Sequence, residues 1–180
     1  MTSQKRNHGK NPVEPNPSWA ASRPYTPGPD YGIPTGSEGL LPWQYVTDRM
    51  ASAKCYWITT VSPNGRPHAT PVDGVWLDDH LYFGGSPATR RSRNLVDNPA
   101  VCIHLESGTE SVILHGDALA LTAVEHTLAV RLAEASKQKY GYSQRPEEYE
   151  ANPGNIFAFH PQVVFAWNQF PKDVTRFTRI

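Results

Sequence analysis

Few of the features that reveal a protein's function outright are present in this chain. Its 180 residues carry 17 Lys and Arg against 17 Asp and Glu, so no net charge draws it to nucleic acid or to an anionic membrane. A local patch must do any anion binding. No apolar run approaches the ~18–20 residues of a membrane span and the N-terminal stretch has no signal-peptide core, so the expectation is a cytoplasmic protein without membrane or nucleic-acid partners. The two cysteines, Cys55 and Cys102, sit in apolar, strand-like runs, which reads as buried free thiols rather than a disulfide framework. Histidines are more frequent, yet His68, His80, His104, His115, His126 and His160 show no HxH, HExxH or CxxC spacing. Only the hairpin of Cys102, His104 and His115 could gather such side chains, and structural zinc wants four ligands, so no metal is expected. The GxSxG elbow, the Walker loop and the GxGxxG turn are all missing, which removes the common frames for a nucleophilic serine and for a nucleotide cradle.

What is present begins at about residue 39. Residues 1–38 are rich in Pro, Gly, Ser and Asn without a sustained period, and read as a flexible arm in which Trp19, Tyr25 and Tyr31 are isolated aromatics rather than anchors on a partner. Residues 39–180 read as one domain. "LLPWQYVTDRMASAK" spaces Trp43, Val46 and Met50 as an amphipathic helix does. "CYWITTVS", "RPHATPVDGVWL" and "HLYFGG" form a meander of strands, with Pro71 and Gly74 interrupting the second. "AVCIHLE" and "SVILHGDALAL" make a hairpin. "TAVEHTLAVRLAEASKQKYG" has a capping box at Thr122 and Glu125 and a stop at Gly141, predicting a helix of about five turns. "NIFAFH" and "VVFAWN" read as two strands joined at Pro161, and "VTRFTRI" as a last one. Six or seven antiparallel strands with few helices point to a mainly β (α+β) domain, a small barrel.

The concentration of charge lies in "SPATRRSRNLVDNP", with Arg90, Arg91 and Arg93 close together. Ser86 suits an N-cap, Pro87 the first helical position, and Asn98-Pro99 the stop. At 100° per residue Ala88, Ser92 and Leu95 share a face, and Arg93 points roughly opposite Leu95, toward solvent. Arg90 and Arg91 flank the buried face near a helix start whose free N–H groups favour an anion.

Taken together, "YWITTVSPNGRPHATPVDGVWLDDHLYFGG", "TRRSRNLVDNPAVCIH" and "VILHGDALAL" resemble the split β-barrel family of pyridoxamine 5'-phosphate oxidase-like flavin and deazaflavin proteins. The resemblance runs from about Leu41 to the C-terminus. "LLPW", the "KYG" of residues 139–141 and the terminal "TRF" are similar to the actinobacterial branch that uses the deazaflavin coenzyme F420. It implies a six- to seven-stranded split barrel forming a homodimer with cofactor sites at the interface. The anion at the arginine helix would be the cofactor's phosphate. By position the resemblance gives a cofactor-binding set of His68, Thr70, Pro71, Val72, Ser86, Thr89, Arg90, Arg91, Asn94 and Trp167. Arg91 takes the place of a usual lysine. Thr70 stands where FMN-dependent oxidases usually carry arginine, which argues for F420 over FMN, and the C-terminal substrate motif of vitamin B6 oxidation is missing.

An F420-dependent oxidoreductase moving a hydride to a small electron-poor molecule (an enone, a quinone or an open-chain tetrapyrrole) is therefore the leading expectation. An FMN-dependent reductase or oxidase is the alternative within the fold. A protein that holds flavin, deazaflavin or haem without turnover is the alternative of another class. No residue is compelling as a general acid; His68, His115 and Tyr82 are the available relays. The aromatic strand with Phe157, Phe159, Phe165 and Trp167 offers apolar surface for a dimer.

Overall fold

The computed structural model describes residues 19–26 and 31–180. Expectations for 1–18 and 27–30 lie outside the described residues. The chain forms a single nine-stranded antiparallel sheet with helices packed on it, the mainly β architecture expected of a split barrel but with nine strands rather than six or seven, and the sheet is not closed. Its elements are β1 (Trp19–Ser22), α1 (Trp43–Ser52), β2 (Tyr56–Val61), β3 (Pro67–Val72), β4 (Val75–Leu77), β5 (His80–Gly84), α2 (Arg90–Asp97), β6 (Ala100–His104), β7 (Ser111–Ala120), α3 (His126–Tyr140), α4 (Pro146–Ala151), β8 (Ile156–Trp167) and β9 (Thr175–Arg179).

The split is made by β8. This strand pairs along its length with β7, while its other edge pairs first with β5 (Leu81 opposite Phe159) and then with β9 (Val164 opposite Phe177). Between those partners lies Pro161, which has no N–H to give to a ladder. The expected joint between two strands is thus a bulge within one. On β7 the register shifts between His115 and Gly116, and a Cβ on Gly116 would stand 2.9 Å from the Pro161 Cα; glycine lets the two backbones meet there. The core of Tyr56, Ile58, Leu81, Phe83, Ile103, Leu114, Phe159 and Phe177 is closed to solvent. Phe157 and Phe159 are consumed by this core, so only Phe165 and Trp167 of the four aromatics expected to face a partner keep exposed surface.

Three boundaries differ from expectation. The meander's second strand breaks at Asp73–Gly74 into β3 and β4, whereas Pro71 stays in register opposite Trp57, tolerated because β3 is an edge. The helix α3 starts at His126, four turns rather than five, and its N-cap Glu125 makes no side-chain bond, so the capping box does not form; Gly141 does end it, at φ 79°. The arm is not separate from the domain at Trp19–Ser22, which pairs with β9.

Trp19 explains that last correction. It is buried, stacks on Trp43 at 4.2 Å between centroids, and donates its indole N–H to Asp79 Oδ2 at 3.1 Å. Trp43 donates to Asp79 Oδ1 at 3.0 Å. Asp79 and Asp78 form the two-residue β4–β5 turn with φ of 60° and 49°, a conformation that usually calls for Asn or Gly. Asp78 is held by both Nη atoms of Arg131 at 2.7 and 2.9 Å. The side-chain clamps offset the left-handed backbone. Tyr25 and Tyr31 are exposed.

Candidate functional site

Beside the sheet's branch, β5 runs into Gly84–Gly85 and then into α2. Thr89, not Ser86, is the N-cap of α2: its Oγ1 accepts from the Ser92 N–H at 3.2 Å. The helix buries Arg91, Ser92, Asn94 and Leu95 and exposes Arg90, Arg93 and Val96. Asn94 pins the helix by donating to the Thr60 Oγ1 on β2 at 2.9 Å.

That anchorage sets Arg91 across the end of β5. Its guanidinium lies over the Phe83 ring at 5.6 Å and donates from Nη2 to the Gly84 carbonyl at 2.9 Å. The side chain is only 8% exposed, and its Nε, fully buried, has no acceptor. No ion pair among the described residues involves it. Burial pushes the guanidinium below its usual range, yet an arginine stays charged. A Cβ on Gly85 would collide with Nη2, so glycine keeps the space this cation occupies. An unpaired charge beside a missing acceptor is costly unless a ligand completes it.

Arg91 opens onto a cleft of about 740 Å³. One wall is β5 with Gly84, Gly85 and Ser86; the other is α3, which presents Leu132, Ser136 and Tyr140 at four-residue spacing, followed by Tyr142 and Tyr149. The end of α3 is latched to the β3–β4 break. Tyr140 Oη accepts from the Gly74 N–H at 2.9 Å and donates to the Lys54 carbonyl at 3.0 Å. Tyr142 donates to Asp73 Oδ2 at 2.7 Å. Lys139 donates to the Gly74 carbonyl at 3.0 Å and to Tyr56 Oη at 2.5 Å; burial lowers its ammonium to about 8. Burial also pushes up the phenols of Tyr82 and Tyr140, while for Tyr142 the bond to Asp73 does so. A Cβ on Gly74 would meet the Tyr82 carbonyl at 2.9 Å, so the close approach expected at this glycine is made by the chain itself.

Of the ten residues singled out from sequence, Val72, Ser86 and Arg91 line this cleft. Thr89 and Asn94 build α2 rather than face the cleft. Arg90 is exposed at the helix start, and His68, Thr70 and Pro71 lie along β3 at the free edge of the sheet. Trp167 is at the far end of β8, its indole donating to the Gly108 carbonyl at 3.0 Å. Tyr82 is the one suggested relay in the cleft; His68 and His115 do not line it. Missed were Gly85, Tyr142, Tyr149 and the latch role of Lys139 and Tyr140, whose only signal was the "KYG" string. Cys55 and Cys102 are free and half-buried, no cluster of three or more metal-ligating side chains occurs among the described residues, and no described helix is long and apolar enough to cross a membrane.

The sequence model described as Pyridoxamine 5'-phosphate oxidase matches residues 44–168, well over half of the chain. The chain belongs to the pyridoxamine 5'-phosphate oxidase family. No curated relative matches it by sequence. Among solved structures that resemble this family member, General Stress Protein 26 from Bacillus anthracis is 17% identical with a TM-score of 0.55, covering 76% of this chain and 97% of that one. A heme binding protein from Mycobacterium smegmatis is 19% identical with a TM-score of 0.57, covering 78% and 59%. At these identities the likeness shows the family fold alone. An F420 reductase at 19% identity, TM-score 0.49, covers 65% and 94%.

Proposed function

We propose that this chain is an F420-dependent reductase, a homodimer that holds the deazaflavin with its phosphate on Arg91 and reduces a small electron-poor molecule such as an enone, a quinone or an open-chain tetrapyrrole. The observation that carries this reading is the Arg91 guanidinium, buried, without a carboxylate and with an Nε that has no acceptor, on a residue that lines the cleft. Such a fork suits phosphate oxygens. Gly85 leaves room for it, Asn94 fixes the helix that carries it, and Ser86 adds a hydroxyl at the same end. When bound, a reduced deazaflavin or flavin supplies the hydride chemistry. The protein's part is to bind, orient and exclude water. The latch of Lys139, Tyr140 and Tyr142 holds the opposite wall, and Tyr82 keeps its proton at Oη through the neutral range.

Thr70 in place of a second cation favours F420 over FMN, the alternative cofactor. The exposed apolar side chains of Pro67, Ala69 and Pro71 on the edge strand β3 offer a surface for a second copy to pack on, although the two prolines cannot extend a strand ladder. One observation favours a protein that holds flavin, deazaflavin or haem without turnover: among the described residues, no histidine lines the cleft and its carboxylate, Asp73, is bonded by Tyr142. Titrating purified protein with F420 and with FMN, then following reduced F420 against a panel of quinones and enones, separates the readings. Fluorescence quenching of F420 with turnover is expected. A tightly held yellow FMN, or a Soret band without turnover, overturns the F420 reductase; a monomer in sedimentation overturns the shared-site dimer.

A further inference from the structure

The cleft is chemically divided. Its cation is Arg91, after β5; among the described lining residues there is no other, and a carboxylate, Asp73 at the β3–β4 break, also lines the cleft. Arg90, beside Arg91, is exposed at the start of α2 and does not line the cleft, and three other nearby cations are committed elsewhere. Lys139 is behind the wall with its donors on Tyr56 and Gly74, Arg131 is paired with Asp78, and Arg145 with Glu148. What remains under α3 and α4 is a surface of phenol rings, from Tyr82, Tyr140, Tyr142 and Tyr149, joined by the amides of Gln144 and Asn155.

We infer that the part of the cleft under α3 and α4 takes an uncharged, flat aromatic molecule and turns away one that brings a second anionic group. This rests on the cofactor reading in one respect, that Arg91 is taken up by the cofactor's phosphate. Phenol faces and edges favour an aromatic ring, and amides supply hydrogen bonds at its rim. An anion placed there would lose water without gaining a cation and would face Asp73. A phosphorylated substrate, as the family's name describes, finds no second cation among the described residues that line the cleft.

The test uses 2-naphthamide and 2-naphthoate, matched in shape and different in charge, titrated calorimetrically into the full-length protein without cofactor. Arg91→Met keeps the side-chain stem and removes the competing anion site. In that variant 2-naphthoate is expected to bind at least about tenfold more weakly than 2-naphthamide. Asp73→Asn in the same background should narrow that gap. Tyr142→Ala should weaken the amide about threefold to tenfold. Equal affinities for the two probes in Arg91→Met, loss of 2-naphthamide with Arg91, or no binding of the amide to the folded wild type overturns the inference. Because no cofactor is present, failure of F420 and FMN to bind overturns the preceding reading alone.

Discussion

Asp79 and Arg91 lie on either side of β5, both charged and both set against aromatic rings, and they have opposite fates. Each carboxylate oxygen of Asp79 accepts an indole N–H, from Trp19 and Trp43. Arg91 donates to one backbone carbonyl and keeps a buried Nε with nothing to bond. A charge whose partners are complete within the chain belongs to the fold; a buried charge left incomplete points outward to a ligand. The same division separates the cleft's walls, since Lys139, Tyr140 and Tyr142 of the latch are hydrogen-bonded and Arg91 keeps an open donor.

The sharpest way to break this comparison is to remove a partner from the completed side. Trp19→Ala removes a buried ring, its stack on Trp43 and one of Asp79's donors. We expect a loss of about 3 kcal/mol, roughly 6–12 °C in melting temperature for a chain of this length. Cofactor affinity of the folded protein should hold. An unchanged melting temperature would return β1 to the status of a dispensable arm.

The incomplete side should behave in reverse. Arg91→Met is expected to weaken F420 or FMN by about tenfold to over a hundredfold, the worth of a charge-assisted bond of roughly 1.5–3 kcal/mol. Its melting temperature without cofactor should stay level or rise, because an unpaired buried charge is replaced by an apolar side chain. A large fall in melting temperature with intact cofactor affinity would place Arg91 on the structural side of the comparison.

Much of the fold could be read from local signals, whereas less of the site could. Alternation in "YWITTV" and "HLYFG" sets the strands, and Gly141 ends α3, because these depend on neighbours in sequence. The β1 strand did not show, since four residues among prolines have no period, and what holds Trp19 is a carboxylate 60 positions away. Arg91 could be seen as a cation near a helix start, but its burial depends on the Phe83 ring and the Gly84 carbonyl of β5, which the helix sequence alone does not place. The latch showed only as the "KYG" string, because Lys139, Tyr140 and Tyr142 bond to residues more than 60 positions away in sequence that only folding brings to the end of α3.

A smaller effect tests the latch through pH. Folded Lys139 titrates near 8, below its ordinary 10.5, because burial disfavours the ammonium. Between those values the unfolded chain keeps a proton that the folded chain has released, so this group's contribution to stability rises with pH across that window. Lys139→Met lacks it. The stability difference, wild type minus variant, should therefore grow from pH 7 to about pH 10, by less than about 1 kcal/mol given the solvent that reaches this half-exposed side chain. A flat or falling difference in denaturant midpoints would mean that the lysine is not desolvated by the latch.

The smallest expected effect is at Arg93, and it is the control that gives Arg91 its meaning. The two arginines share a helix, a charge and a distance of two residues, so any account based on the general positive field of α2 predicts similar losses from either. Arg93 is exposed and donates from Nη1 to the Ala88 carbonyl at 2.6 Å, a bond that water replaces at little cost. Arg93→Ala should change stability and cofactor affinity by less than about 0.5 kcal/mol. Its residual effect should fade with added salt, because an exposed charge is screened over about 8 Å at physiological ionic strength. The Arg91 effect should persist at the same salt, since a buried guanidinium is screened far less. Matching losses at both positions, both erased by salt, would show that the helix attracts anions only as a charged surface and that the cleft's buried cation holds none.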